Sequence, residues 1–281
     1  MTESSRRVDV LRIAGDRLDC ASDRVAVEAP LELRLNGYPF AVIMRTPGTD
    51  ADLAAGFLFA EGVVRSSDDI QRVEPIDAFT VNVALGRSRA EVLPQLLDAR
   101  RGVVQNSSCG LCGRRQLESL EIDRPPLAME WRLPADVIVG LPQALRSAQH
   151  AFDETGGLHA AGLFDLEGRL RLSAEDVGRH NAVDKLIGRM LMERQLPLSR
   201  VALVVSGRSS FEIVQKALLG GIPLVAAVSA PSSFAVDLAL GAGITLIGFL
   251  RDGRFNVYTH AARVTNEGQR LLREPRGLPR L

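Results

Sequence analysis

What this chain lacks narrows its function before any motif does. It has only three cysteines, Cys20, Cys109 and Cys112, among 281 residues. Three cannot build a disulfide framework, and one would be left over. Free thiols in a reducing, cytoplasmic setting are therefore expected. The chain has no excess of charge, since 34 basic and 34 acidic residues cancel. Binding to nucleic acid through bulk charge is not expected, because counterion release needs a basic face. The opening residues Met1 to Arg7 are polar and no apolar run follows them, so no signal peptide is expected. No uninterrupted apolar stretch is long enough to span a bilayer. Ile222 to Leu250 comes nearest, but Pro223, Pro231, Asp237 and a serine cluster break it, whereas a spanning helix wants about 20 mostly apolar residues. No internal repeat is evident.

What is present reads as a globular chain, with 46% hydrophobic and 24% charged residues. Its length suits two domains, which we place at residues 1–125 and 126–281. The first is strand-rich. Asp23–Glu28 and Leu31–Leu35 alternate in polarity, and Asn36-Gly37 before Tyr38–Met44 is a two-residue hairpin signal. A helix capped by Thr49 or Asp50 runs to Glu61 and ends at Gly62. Arg72–Glu74 and Phe79–Leu85 read as further strands, and Ser88–Leu97 as helical or irregular.

The second domain is α/β, making the whole α+β. Pro134–Gln149 is a helix candidate, and Leu158–Phe164 and Leu170–Leu172 flank a turn at Glu167-Gly168. Ala182–Arg194 has helical spacing, with Val183, Leu186, Ile187, Met190 and Leu191 on one face. Strands and helices then alternate: Val201–Val205, Phe211–Leu219, Leu224–Val228, Phe234–Leu240 and Ile244–Leu250. The nearly continuous apolar strands predict a sheet buried on both faces. Phe255–Thr259 fits an edge strand. The Arg-rich residues after about 266 read as a loose tail.

Arg101 to Arg115 is rich in Gly, Ser and Asn and has no periodicity, so it reads as a loop. It carries Cys109-Gly110-Leu111-Cys112-Gly113. One reading is zinc, but a structural site needs four ligands. Cys20 and four histidines alone remain to complete it. Zinc deaminases place His-x-Glu before Pro-Cys-x-x-Cys; here no histidine precedes Cys109, and Ser108 stands in the proline position. A second reading is a buried, inert pair, which the surrounding glycines and arginines suit poorly. The third is reactive sulfur. Arg100, Arg101, Arg114 and Arg115 would favour a thiolate, and a neighbouring thiol can resolve a disulfide or pass sulfur on. The motif alone does not separate an oxidoreductase from a sulfur carrier.

Three other segments concentrate chemistry. Gly156-Gly157-Leu158-His159 sets a histidine beside a flexible turn. Asp176-Val177-Gly178-Arg179-His180-Asn181-Ala182-Val183-Asp184-Lys185 reads either as a site, with His180 titrating near neutrality, or as a helix cap with surface ion pairs. Ser206-Gly207-Arg208-Ser209-Ser210 and Ser229-Ala230-Pro231-Ser232-Ser233 each follow a strand and open a helix. That suits an anion, though ordinary capping explains it too. Ligands favour the carboxyl ends of strands in open α/β sheets. There Gly248-Phe249-Leu250-Arg251-Asp252-Gly253 offers an aromatic ring to stack on a base and a carboxylate to accept from an amino group.

Together these segments resemble the FdhD family of sulfur carriers required for formate dehydrogenase activity. The matching stretches are Arg45-Thr46-Pro47-Gly48 through Gly56-Phe57-Leu58 to Glu61-Gly62, the Cys109–Gly113 run, Gly157-Leu158-His159-Ala160-Ala161, Glu175 through Lys185, and Ser206-Gly207-Arg208. The resemblance implies that Cys109 carries a persulfide received from a cysteine desulfurase, with Cys112 assisting. It implies delivery to the molybdenum of bis-molybdopterin guanine dinucleotide before formate dehydrogenase receives that cofactor. Gly248 to Gly253 would then hold the cofactor's nucleotide, with His180, Ser206, Gly207 and Arg208 as further contacts. It also implies a cytidine-deaminase-like, three-layer larger domain without the deaminase zinc or any other permanently bound metal, and a homodimer.

Overall fold

The computed structural model describes residues 4–98, 125–128 and 130–266. Cys109 and Cys112, with the loop that carries them, lie outside the described residues, as does the Arg-rich tail. Along the chain run β1 (Ser5–Ala14), β2 (Arg17–Ala26), β3 (Ala29–Leu35), β4 (Tyr38–Arg45), α1 (Asp50–Ala60), β5 (Ile70–Asp77), β6 (Thr80–Leu85), α2 (Arg87–Ala90) and α3 (Leu93–Asp98). There follow β7 (Leu133–Pro134), α4 (Ala135–Arg146), α5 (His150–Thr155), β8 (His159–Phe164), β9 (Leu170–Asp176), α6 (Arg179–Met192), β10 (Ala202–Val205) and α7 (Phe211–Gly220). The last are β11 (Leu224–Ala227), α8 (Ser233–Gly241), β12 (Thr245–Arg251), β13 (Arg254–Val257) and β14 (Val264–Thr265).

These elements form two compact units interleaved in sequence. The first takes the described residues of Met1–Gly113, Gln149–Ala160 and Glu175–Met192; the second takes those of Arg114–Ala148, Ala161–Ala174 and Glu193–Leu281. The sequence suggested a single division near residue 125, whereas contacts group α5 and α6 with the first unit.

In the first unit β1 and β2 form a ribbon that, among the described residues, pairs only with itself. Gly15, at φ 60°, opens the two-residue turn between Ala14 and Arg17. The sequence showed only the end of this ribbon, because most of its residues are exposed and impose no alternation. The second sheet has the order β4-β3-β6-β5, with β3 antiparallel to β4 and parallel to β6. Its inward residues Leu31, Leu33, Leu35, Val81 and Val83 are buried. Helix α1 is apolar around most of its circumference, as expected of a helix covered on several sides. It packs on β5 and β6 and against α6. Gly56 of α1 and Gly188 of α6 make that crossing possible. A Cβ at Gly56 would overlap the Asp184 carbonyl, and one at Gly188 the Asp52 carbonyl. Just before α1, the fully buried Arg45 guanidinium grips the Asp50 carboxylate with two bonds of 2.8 Å and donates to the Ala29 and Ala78 carbonyls.

The second unit is built on a sheet of order β13-β12-β11-β10-β8-β9. Strands β10, β11 and β12 are parallel, flanked by antiparallel β8 and β13. Both crossovers, α7 and α8, step in the same direction, so right-handed connections put both on one face. Every residue of β10 and β11 is buried, which requires cover on both faces; α4 packs against β10 and β12. Buried Arg263 fastens the end of the described chain. It donates to the Pro223, Gly243 and Ala128 carbonyls and to Thr245 Oγ1, and lies over the Trp131 ring. The class is therefore mixed α and β, as the sequence indicated. No helix among the described residues is long and apolar enough to cross a membrane.

Candidate functional site

Two groups of side chains gather the polar residues singled out from sequence, one in each unit. In the first unit, α6 starts at Arg179, earlier than the apolar pattern at Ala182 suggested. The polar residues of its first turns are buried, His180, Asn181, Asp184 and Lys185 among them. Lys185 Nζ pairs with Asp176 Oδ2 at 2.7 Å and donates to the Thr46 and Glu175 carbonyls, so all three ammonium protons have acceptors. Asp176 also accepts from the Gly178 and Thr46 amides and from Asn181 Nδ2. Asn181 donates further to the Met44 carbonyl, and Thr46 Oγ1 accepts from the Val177 amide. Glu175 accepts from the Ala151 and Phe152 amides, capping α5. The stretch from Glu175 to Lys185 is thus largely a buried clamp on Thr46, not a set of surface ion pairs.

His159 lies beside this clamp, half-buried. Burial pushes its pKa below the ordinary 6.5, the Arg179 and His180 charges add to that, and Asp176 opposes it. A histidine held neutral by its fold contributes stability that is present above its unfolded pKa and lost as pH falls from about 6.5 through the lower folded value. NMR titration of His159 should accordingly give a midpoint below 6.5. His180→Ala should move that midpoint upward, and an unshifted midpoint in the native protein would contradict the packing.

In the second unit the loops after β10, β11 and β12 join edge to edge. Ser209 forms a parallel bridge with Pro231, and its carbonyl accepts from the Ser232 amide at 3.0 Å. The Ser229 carbonyl accepts from the Phe249 amide at 3.1 Å. Gly248 admits this approach, since a Cβ there would stand 2.9 Å from Pro231 Cδ and 3.0 Å from the Tyr258 ring. The pairing of β12 with β13 slips between Gly248 and Arg251, leaving Phe249 at φ 53°. Asp252 also has φ 53°, but Asp252-Gly253 is a two-residue hairpin turn that calls for positive φ at both positions. Phe249 has no such excuse. Its left-handed backbone is a strained feature of the kind that clusters at binding sites. The Arg251 guanidinium lies 5.9 Å from the centre of its ring. Ser209 Oγ is fully buried and has no hydrogen-bond partner among the described residues. It stands just before α7, whose first-turn amides receive no side-chain cap from Ser210.

Ser206, Gly207 and Arg208 thus fall in the same unit as Gly248 to Gly253, within a chain of linked loops, while His180 belongs to the first unit beside His159 and Arg179. One feature went unread in the sequence. Phe211 and Phe234 stack at 4.5 Å, with Phe234 47% exposed. A signal existed: Ser-Ser-Phe occurs at Ser209-Ser210-Phe211 and again at Ser232-Ser233-Phe234, marking twin strand-to-helix connections. Among the described residues no group of three or more His, Cys, Asp or Glu is placed to hold a metal ion.

Fold and loops together define a mixed-sheet α/β protein with a polar, locally strained edge at the carboxyl ends of its parallel strands. Residues 26–265 match the FdhD/NarQ family. The sulfur carrier protein FdhD of Streptomyces avermitilis is 48% identical, over 94% of this chain and 97% of that one. Its namesake in Sulfurisphaera tokodaii is 47% identical over 92% and 98%, and that in Mycobacterium tuberculosis 45% identical over 91% and 97%. A crystal structure from Desulfotalea psychrophila, described as a candidate formate dehydrogenase accessory protein, superposes with a TM-score of 0.76 at 26% identity. It covers 93% of this chain and 100% of its own. The chain belongs to the FdhD/NarQ family.

Proposed function

We propose that this chain is a sulfur carrier and sulfurtransferase for formate dehydrogenase. Cys109 takes sulfur from a cysteine desulfurase and passes it to the molybdenum of bis-molybdopterin guanine dinucleotide, its bound substrate. The observation that carries this reading is family membership over residues 26–265, a span that includes both thiols, among relatives named as sulfur carriers. Thiols working this way need a reducing compartment, consistent with a cytoplasmic setting.

In loading, the Cys109 thiolate attacks the outer sulfur of the desulfurase persulfide. The S–S bond breaks, the desulfurase cysteine leaves as thiolate, and Cys109 holds a persulfide. In delivery, the Cys112 thiolate attacks Cys109 Sγ. A Cys109–Cys112 disulfide forms and the outer sulfur leaves as sulfide for the metal, with both electrons supplied by the thiols. A cellular dithiol then resets the pair. The strand-end loops of the second unit support the substrate assignment. They supply a strained aromatic at Phe249, a hairpin carboxylate at Asp252, and an unpartnered hydroxyl at Ser209 before an uncapped helix start, which suits an anionic group.

Mixing the protein with a desulfurase and cysteine should add one sulfur atom to Cys109, located by peptide mass spectrometry. Cys109→Ser should abolish loading and reduce formate dehydrogenase maturation to background. No added sulfur on Cys109, under conditions that load a control acceptor, would overturn the reading. The Cys-x-x-Cys spacing also fits a thiol–disulfide oxidoreductase, which would instead turn over a disulfide substrate without acquiring sulfur. A purely cofactor-binding chaperone would mature the enzyme with Cys109→Ala in place.

A further inference from the structure

Three basic side chains meet in the first unit, and the sulfur steps above use none of them. His159 stands at the start of β8, while Arg179 and His180 open α6. His159 is half-buried, Arg179 is partly buried, and His180 is only 6% exposed. Arg179, His180 and Asp176 all lie near enough to His159 for their charges to act on it. Asp176 is the one acid among them, and it is already committed. Its Oδ2 takes Lys185 Nζ and the Thr46 amide, and its Oδ1 takes the Gly178 amide and Asn181 Nδ2. Glu175, beside it in the chain, uses both carboxylate oxygens on the Ala151 and Phe152 amides.

Their place on the helix sharpens the imbalance. A helix begins at its positive end, where acids are favoured and cations are not. Helices α1, α4 and α7 each carry an acid in the first turn. Helix α6 has none there and begins with Arg179 and His180 instead. Such a conflict between local electrostatics and the fold is expected at a functional site, where something else offsets it. The cluster is also held in place. Asp176 fixes the approach to α6 through Gly178, Asn181 and Lys185. Glu175 caps α5, which ends at left-handed Gly156 just ahead of His159. Two adjacent carboxylates thus anchor both segments that supply the basic groups, as a preorganised site requires.

We propose that His159, Arg179 and His180 form a binding site for a phosphate-class oxyanion in the first unit, in addition to the strand-end loops of the second. The Arg179 guanidinium is a planar fork whose N–H donors match two oxygens of a tetrahedral anion. His180 brings an imidazole N–H, and His159 brings a second charged donor once it takes a proton from solvent. The first-turn amides of α6 direct their N–H groups toward the same end of the helix. Burial holds His159 neutral near pH 7, and an arriving anion reverses that preference by favouring the protonated ring. The site does not depend on the sulfur chemistry: a chain that failed to load a persulfide would still bind the anion.

The chain has four histidines, few enough for their imidazole signals to be assigned by proton NMR. In phosphate-free buffer, inorganic phosphate added at constant ionic strength should move the His159 and His180 signals saturably. It should raise the His159 midpoint by about one pH unit, and His150 and His260 should not move. Arg179→Gln should weaken binding by about tenfold or more, since hydrogen bonds to a charged group are lost. Arg179→Lys, which keeps the charge without the fork, should weaken it less. Phosphate should also raise the melting temperature of the native chain more than that of Arg179→Gln. Guanosine diphosphate, run beside guanosine, separates two sources of the anion. A nucleotide that moves His159 at lower concentration than free phosphate marks a phosphoryl group of the dinucleotide substrate, and an equal or weaker one marks the free ion. Equal shifts with chloride, no saturable movement of His159, or unchanged affinity in Arg179→Gln would each overturn the proposal. Far-ultraviolet circular dichroism checks that each variant folds, and Arg179→Lys carries the test if Arg179→Gln does not.

Discussion

Gly188→Ala is expected to destabilise the protein by about 3 kcal/mol, beyond the lower half of the usual range for overpacking, and to lower its melting temperature by roughly 6–12 °C. The sign is the informative part. In the interior of an ordinary helix, alanine is preferred over glycine by about 1 kcal/mol, so the same change normally stabilises. At Gly188 the new methyl group would occupy the space of the Asp52 carbonyl on α1. Backbone cannot swing aside as a flexible side chain can. The two helices would have to separate, and the apolar contacts along α1 would loosen with them. Gly56→Ala should behave alike, because its Cβ would meet the Asp184 carbonyl on α6. Gly140 in α4 is the control, with nothing within 4 Å of its would-be Cβ. Gly140→Ala should be neutral or stabilising in the same thermal scan. Three matching shifts would mean that close helix approach does not control the first unit.

Lys185→Met is expected to cost about 3–5 kcal/mol, as when one partner of a buried ion pair is removed. The Lys185 and Asp176 side chains are 4% and 0% exposed. Methionine keeps most of the volume but leaves the Asp176 carboxylate without its cation, and the Thr46 and Glu175 carbonyls without a donor. Asp176→Asn should cost less, since an amide still accepts from Gly178, Thr46 or Asn181. The double variant should be less harmful than the sum of the two, with the coupling read by urea unfolding. Full additivity would show that the pair does not act as one unit. On the proposed function, Lys185→Met would reach sulfur transfer only indirectly, by releasing Thr46. Sulfur loading measured at a temperature where the variant remains folded should stay close to that of the native chain.

Where burial leaves a period in the sequence, the fold was legible. The apolar runs of β10, β11 and β12 and the helices between them follow directly from residues 201–250, and Asn36-Gly37 announced its hairpin. The β1–β2 ribbon was not legible beyond its end, because a ribbon exposed on both faces imposes no alternation. The α6 start was misplaced for the opposite reason. Its first residues are charged yet buried, and only the partners that satisfy them, such as Thr46 and Met44, explain why. Those partners lie far away in sequence. The same limit applies to Phe249. Its identity suggested stacking, but its left-handed backbone follows from a bulge against β13 that spacing does not reveal. Family resemblance rested on motifs, and the comparisons bear it out. The roles of Cys109 and Cys112 rest on that resemblance and on thiol chemistry.

The interleaving of the first unit has a consequence for how the protein comes into being. Synthesis delivers the four-stranded sheet and α1 early, but the helix that covers α1 does not emerge until residue 192 has been made. Until then Leu53, Ala54 and Leu58, all fully buried in the finished protein, have lost one of their covering surfaces. The nascent chain must carry an exposed apolar helix through the translation of nearly half its length, a natural binding site for a ribosome-associated chaperone. The first unit to begin is therefore not able to finish by itself, and a chain ending near residue 125 would present a sticky half-core rather than an independent domain.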